Sequence, residues 1–552
     1  MISNPSISRQ TGFRAWSRRL AAVAAACVLT AAPLAAQEVD TEVPLSPPGE
    51  PPPVDLAPEE GDLHLSLEEA IAIALQRNVD LLVSRNTYQD AVFGVQGARG
   101  IFDLRLSADV STSDRDSPTA VAVEGVPVLS SQDEAFDLSL SQLTPLGGTA
   151  SLVWSNARDE TNSLNVQLNP SYTSFASLGY TQPLLQNFGR TVTRNEILVA
   201  QRGEEIGRSE FERQVIATAQ DVANAYWDLV EARQQLGVAE EALALAEELH
   251  QQNQIRVDVG TLAPLELVQS EAGIATQREQ IILARAAVGD AADRLRLLLN
   301  LEQGPLWTAE LIPDTEPTRE PMEFQLADAL ASAQRQRVEL TGQGAGVEQA
   351  RLRADVARSL VRPRLDLDVS YDLSGLGGDI LTRDPETGEV IGVFPGGFDD
   401  ALDQVTGRDF EGWRVGLLLA YPLQNREARA GRARADIAVD SAERQHQLLQ
   451  QQVATEVRTA ARNLEAAWER VEAARASVRL QQRSLDAEQK RFDNGMSTSF
   501  LVLQVQNDLT AARGREVTAI TGYNRAVIEY HRAIGELLQT AGIRVVGDEE
   551  AG

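Results

Sequence analysis

The 552-residue sequence holds one cysteine, one lysine and four histidines, and only 5% of it is aromatic. The cysteine, Cys27, lies in a stretch where Arg14, Arg18 and Arg19 precede the apolar run LAAVAAACVLTAAPLAA. A basic segment, a short apolar core and small residues form a secretory signal peptide pattern, expected over 1–36 with cleavage near Ala35 or Ala36. Lipidation at Cys27 in AAAC is the alternative outcome. Cleavage would remove the cysteine and exclude disulfide and thiol chemistry from the mature chain. The histidines, His64, His250, His446 and His531, stand apart without HExxH or similar metal spacing. GxSxG, P-loop and Rossmann patterns are also missing, so no catalytic, cofactor or metal site is expected. After the leader no run of 18 apolar residues follows, which excludes a transmembrane helix and leaves strands for any membrane crossing. The net charge of −30 argues against nucleic acid as a partner.

What is present is a plan stated twice. Residues 37–62 are acidic and Pro-rich, a linker without a core. LEEAIAIALQRNVDL (67–81) then matches LADALASAQRQRVEL (326–340) at an offset of 259, and the same offset carries LSADVS (106–111) onto LDLDVS (365–370). YTQPLLQN (180–187) answers AYPLQN (420–425), and RVDVG (256–260) answers RFDNG (491–495). Matched landmarks in matched order mark an internal repeat. The first repeat is expected over 63–300, with a helix, strands within 103–183 and a long helical hairpin over 192–300. The second is expected over 323–540, with strands within 364–423 and a hairpin over 428–538. Residues 301–322 link them, and 541–552 form a tail.

The long helices carry sustained heptads, with Val215, Val222, Leu229, Leu236 and Leu243 in one and Val457, Leu464, Val471, Val478 and Leu485 in the other. Alanines beside these seams let neighbouring helices approach closely. The strand regions alternate instead. In RLDLDVSYDL, Leu365, Leu367, Val369, Tyr371 and Leu373 share one face, opposite Asp366, Asp368 and Asp372. Such segments of 9–11 residues suit barrel strands with lipid outside and water within. Residues 114–133 and 374–412 read as long loops. The second repeat supplies two strands and the first supplies two or four, depending on whether 136–154 forms an extra hairpin. Four or six strands fall short of the eight a barrel needs, so several chains must share one.

These features resemble the TolC family of outer-membrane efflux proteins, through LSLEEAIAIALQRN, YTQPLLQNFG, AYWDLVEAR, RVDVGT, RPRLDLDVSY, YPLQNREAR, RFDNGMSTSFLVLQVQNDL and YNRAVIEYHRAIG. The resemblance covers about 63–540. It implies a mainly α fold with a transmembrane β-barrel portion: a homotrimer sharing one barrel in outer-membrane lipid, with an α-helical tunnel in the periplasm. It further implies a passive exit duct of a tripartite efflux or type I secretion system, working with a periplasmic adaptor and an inner-membrane pump.

By that resemblance the two RxDxG phrases mark turns at the periplasmic tip, and Arg256, Gly260, Thr261, Arg491, Gly495 and Ser497 are candidate adaptor-docking residues. Glycine suits a helix stop, and Pro264 with Ser497–Ser499 suits the return helix. Family apertures use acidic residues shortly after the tip glycine. Glu266 takes one such place, whereas Leu501 and Gln504 in the second half depart from the pattern. Pro183 and Pro422 are expected at the strand-to-helix transitions. Trp154 and Trp413 are candidates for an interfacial belt. A coiled-coil adaptor would explain the heptads, but not amphipathic strands at corresponding places in both halves.

Overall fold

The computed structural model describes residues 62–119, 126–301, 304–384 and 389–540. The expected signal peptide, Cys27 and the tail at 541–552 lie outside the described residues, as does all of the Pro-rich segment except Asp62. The chain divides into two units. Among the described residues, one is built on Gly94–Gln201 and Gln349–Val439, the other on the segments 62–93, 202–348 and 440–540.

The first unit centres on an antiparallel sheet of six long strands. In order across the sheet these are β2 (Arg105–Pro118), β3 (Val128–Leu143), β4 (Thr149–Thr161), β5 (Leu168–Pro183), β7 (Arg364–Arg383) and β9 (Glu411–Ala420). A short strand, β8 (Val390–Phe394), also pairs with the far end of β7. The open choice between four and six strands therefore resolves to six, because 136–154 does form a hairpin. Its turn is Thr144–Gly148, closed by Thr144 N to Gly148 O at 2.7 Å, with Gly147 at φ +92°.

Alternation along each strand becomes two distinct faces across the register. Leu106 pairs with Leu140, then Leu152, Leu178, Tyr371 and Trp413, an unbroken apolar row over six strands. One residue along, Ser107, Ser139, Val153, Ser177, Asp372 and Gly412 form a mostly polar row on the opposite face. Side-chain period two with matched register produces this separation.

Three sequence expectations need correction here. Residues 114–133, read as a loop, are strand at both ends, since β2 runs to Pro118 and β3 begins at Val128. All the long strands but β9 exceed 9–11 residues, β7 reaching 20, because their far ends are rich in Ser, Asp and Gly, and Leu376 and Ile380 of β7 leave the alternation set by Leu365 to Leu373. The stretch 374–412 is also not simply a loop. It contains the end of β7, β8 and a helix, α9 (Phe398–Gly407). That helix lies so close to the sheet that a Cβ at Gly375 or Gly377 would strike the carbonyls of Ala401 and Gly397. The acidic phrase GGFDDALDQ is thus largely helical, with Ala401 and Val405 buried.

The second unit is helical, and of the helices along the chain some lie partly in the first unit and Arg190–Thr193 lies wholly there. β1 (Asp62–Leu65) and α1 (Leu67–Arg77) begin it, α1 closed by a capping box between Ser66 and Glu69. α2 (Val79–Arg99) follows, and further on come the short α3 (Arg190–Thr193), α4 (Asn195–Asp258) and α5 (Pro264–Leu299). The first long helix therefore starts at 195 rather than 192, after a break at Arg194. Then come α6 (Pro305–Thr308), β6 (Glu310–Pro313), α7 (Leu326–Gln336) and α8 (Val338–Leu360). The chain closes with α10 (Arg426–Asp493), α11 (Ser499–Ile534) and α12 (Leu537–Thr540). α7 and α8 begin 259 residues after α1 and α2, so the sequence offset is also a structural one.

The heptad residues supply the cores. Val222, Ala225 and Leu229 of α4 pack with Ile71 and Ile73 of α1 and Leu295 of α5. Val457, Leu464 and Val471 of α10 pack with Ala329 and Ala333 of α7 and Tyr523 of α11. The link at 301–322 is tied down rather than loose. β6 pairs in parallel with β1. The Tyr226 hydroxyl donates to Leu65 O at 3.0 Å and accepts from Thr315 N at 2.9 Å. The second repeat reuses the device, with the Tyr523 hydroxyl donating to Glu320 O and accepting from Met322 N.

Candidate functional site

Both RxDxG phrases end a helix in the same hydrogen-bonded way. At the end of α4, Gly260 N donates to Val257 O at 2.9 Å and Thr261 N to Arg256 O at 2.8 Å. At the end of α10, Gly495 N donates to Phe492 O at 3.0 Å and Met496 N to Arg491 O at 2.8 Å. This pair of bonds is the Schellman closure, which needs a left-handed residue just past the helix. Gly260 at φ +80° and Gly495 at φ +71° provide it. The repeated phrase thus has a local cause: each glycine admits the left-handed turn, and each arginine's carbonyl receives the closing bond.

The side chains of the two turns are not equivalent. Arg256 reaches across to the other turn, donating from Nη1 to Phe492 O at 3.0 Å and from Nη2 to Asp493 Oδ1 at 2.9 Å. Its guanidinium also lies 4.4 Å from the centre of the Phe492 ring, which is itself 1% exposed. Arg491 stays on its own helix and pairs with Glu488 at 2.9 Å. Thr261 Oγ1 donates back to Arg256 O at 3.0 Å, and Ser497 Oγ donates to Glu488. Beneath the turns, Leu249, Leu485, Phe492, Val502 and Leu509 form a small buried cluster. Phe492 continues the heptad of Leu485, which places a core residue directly under the turn.

The return helices start differently. α5 opens on Pro264 after an Ala263 N-cap that offers no side-chain bond. α11 opens after Thr498, whose hydroxyl accepts from Leu501 N. Of the aperture candidates, Glu266 is half-buried and accepts a hydrogen bond from Ser499 Oγ, joining the two return helices. Leu501 and Gln504 are exposed on α11. The Glu266–Ser499 contact, across 233 residues, had no signal in the sequence.

At the strand ends, Pro183 is the last residue of β5 and Pro422 follows β9 by two residues. A few residues later the backbone turns left-handed at one position in each case, Asn187 (φ 60°) and Asn425 (φ 43°). Asn187 N bonds Ser359 Oγ at 2.9 Å, and the Asn425 amide bonds Val361 O at 2.9 Å. These asparagines, among the side chains best able to tolerate a left-handed backbone, were the missed residues. Their presence as the last letter of both PLLQN and PLQN was the available signal. Trp154 donates to Ser174 Oγ and packs edge-on to Phe136, whereas Trp413 is 78% exposed.

Among the described residues no group of acidic, histidine or cysteine side chains is arranged to hold a metal, and no helix is long and apolar enough to cross a membrane.

The family model described as outer membrane efflux protein matches residues 129–301 and 329–536, well over half of the chain. Comparison with curated proteins returns no match. Among solved structures, the fold is similar to the Campylobacter jejuni CmeC outer membrane channel, at 15% identity and a TM-score of 0.61, covering 87% of each chain. It is also similar to the outer membrane protein VceC of Vibrio cholerae, at 14% identity and a TM-score of 0.59, covering 85% of this chain and 96% of that one. The Neisseria gonorrhoeae MtrE outer membrane channel in its open state matches at 16% identity and a TM-score of 0.57, covering 85% and 89%. With two repeats, an amphipathic sheet and paired helical hairpins in the matched regions, the chain belongs to the outer membrane efflux protein family.

Proposed function

We propose that this outer-membrane efflux protein is a passive exit duct that becomes complete only when three copies assemble, and that its paired helical turns dock a periplasmic adaptor serving an inner-membrane pump. The observation that carries the first part is the sheet. It has one apolar and one polar face, six long strands and two unpaired edges, which one chain cannot close. Three copies supply a closed wall with lipid against the apolar rows and water against the polar ones. The second part is supported by the turns. Two Schellman closures held side by side by Arg256 present a fixed surface, with Val259, Leu265 and Met496 exposed around it. Glu266, Leu501 and Gln504, just beyond the turns, are the proposed aperture residues. Energy must come from the pump, since the sequence carries no nucleotide-binding pattern.

The test separates duct from docking. Purified protein in detergent should have three times the mature chain mass, and in planar bilayers it should give discrete conductance steps. A monomer without conductance would reject the duct. Paired Gly260→Val and Gly495→Val substitutions should leave outer-membrane assembly intact while reducing export of a fluorescent pump substrate from cells. Undiminished export with both variants present would reject docking at the turns.

A further inference from the structure

The two edges of the sheet are β2 and β9, and they are its most exposed long strands, with 13 of 14 and 9 of 10 residues open to solvent. Val110 on β2 is 65% exposed, and Val415 on β9 is 59% exposed. Both lie on the apolar face, so each edge carries an apolar row that ends without a neighbour.

The strand count sets the direction of any continuation. Six strands alternate, so β2 and β9 run in opposite senses, and β2 of a second copy laid against β9 extends the sheet antiparallel. The faces then restrict the register. Following hydrogen-bonded partners across one chain leads from Arg105 to Arg414 and from Leu106 to Trp413. Keeping apolar beside apolar requires the next copy to be displaced by an even number of residues.

The tilt of a barrel strand restricts it further. A displacement of six residues per six strands, at about 3.3 Å per residue and 4.8 Å between strands, corresponds to a tilt of about 35°. A displacement of four gives about 25°, below the roughly 35–45° of membrane barrels. A displacement of eight gives an acceptable angle, but sets Trp413 against the carboxylate of Asp114, whereas six sets it against Thr112. At six, the first residue of β2, Arg105, lies beside the last of β9, Ala420. Leu419 then meets Leu106, and Val415 meets Val110.

We propose that β9 of one copy pairs antiparallel with β2 of the next, Val415 opposite Val110, so that three copies close an eighteen-stranded barrel. This rests on the trimeric duct proposed above and specifies its seam. At that strand number and tilt the backbone wall is roughly 35 Å across. Without the β3–β4 hairpin, twelve strands would give roughly 23 Å. The β3–β4 hairpin of each copy therefore widens the barrel.

The seam is read by cysteine pairs with a short thiol crosslinker, in outer membranes of cells producing the full chain with Cys27→Ala. Val110→Cys with Val415→Cys should give dimers and trimers on denaturing gels and nothing larger. Val110→Cys with Leu417→Cys, or with Trp413→Cys, should stay largely monomeric. Preferential crosslinking by either alternative pair overturns the register. A trimeric, conducting protein that crosslinks through none of the three pairs overturns the seam and leaves the duct standing. A protein that is monomeric and silent in bilayers removes both.

Discussion

At the scale of single residues, Glu266 and Glu231 show what a carboxylate does at a turn and in a core. Glu266 is half-buried and holds Ser499 across the two return helices. A ring of such carboxylates, one per copy, would favour cations and narrow the opening. Glu266→Ala should therefore lower cation preference and raise single-channel conductance, and unchanged values in both would end its aperture role. Glu231 lies on α4 facing α11. Burial pushes its carboxyl upward, but hydrogen bonds from Thr518, Arg525 and Thr521 outweigh that and hold it below its ordinary value. A depressed folded-state value means its stabilisation is complete above the unfolded-state pKa, about 4.3, and is lost as pH falls through the folded value. Glu231→Gln should reduce stability by about 1.5–3 kcal/mol near neutral pH, the range for hydrogen bonds to a charged group, and flatten the acid limb of unfolding. Denaturant melts from pH 7 to pH 3 read this directly, and an acid limb as steep as the parent's would contradict it.

At the scale of elements, the sequence made the two RxDxG turns look like twins, and their backbones are. Heptad seams and the helix starts 259 residues apart were equally legible, because apolar spacing and caps are local signals. What could not be read is how the turns share work. Arg256 braces the other turn through residues 236 and 237 positions away, whereas Arg491 pairs within its own helix. The polar strand ends and α9 were hidden for a related reason: Ser, Asp and Gly read as loop until neighbouring strands supply the ladder. The asymmetry has a measurable consequence. Arg256→Ala removes a carbonyl bond and a ring contact on a buried Phe492, worth about 1–2 kcal/mol together. Arg491→Ala removes an i,i−3 ion pair at the surface, worth less than about 0.5 kcal/mol. Hydrogen exchange at the turns should accelerate clearly in the first variant and little in the second, and equal acceleration would refute the brace. Gly260→Ala and Gly495→Ala should each cost about 1–2 kcal/mol through the left-handed backbone alone, since no atom lies near enough to clash with an added methyl.

At the scale of the whole molecule, the repeat is unequal where it matters for transport. Both halves give a sheet segment and a helical hairpin, yet the first half carries four long strands and the second two. The extra pair, β3 and β4, lies between β2 and β5, which run in opposite senses and can pair directly if it is removed. Excising residues 128–161 leaves an even strand number, keeps both sheet edges and preserves the apolar residues Leu106 and Val110 on β2. Assembly should therefore survive. The enclosed cross-section scales with roughly the square of the strand number, so conductance of the membrane segment should fall to about half or less. Single-channel recordings with Glu266→Ala present in both backgrounds keep the turns alike, so that the comparison reports the barrel. Conductance equal to that of the Glu266→Ala channel with the hairpin retained would show that the extra strands do not line the pore.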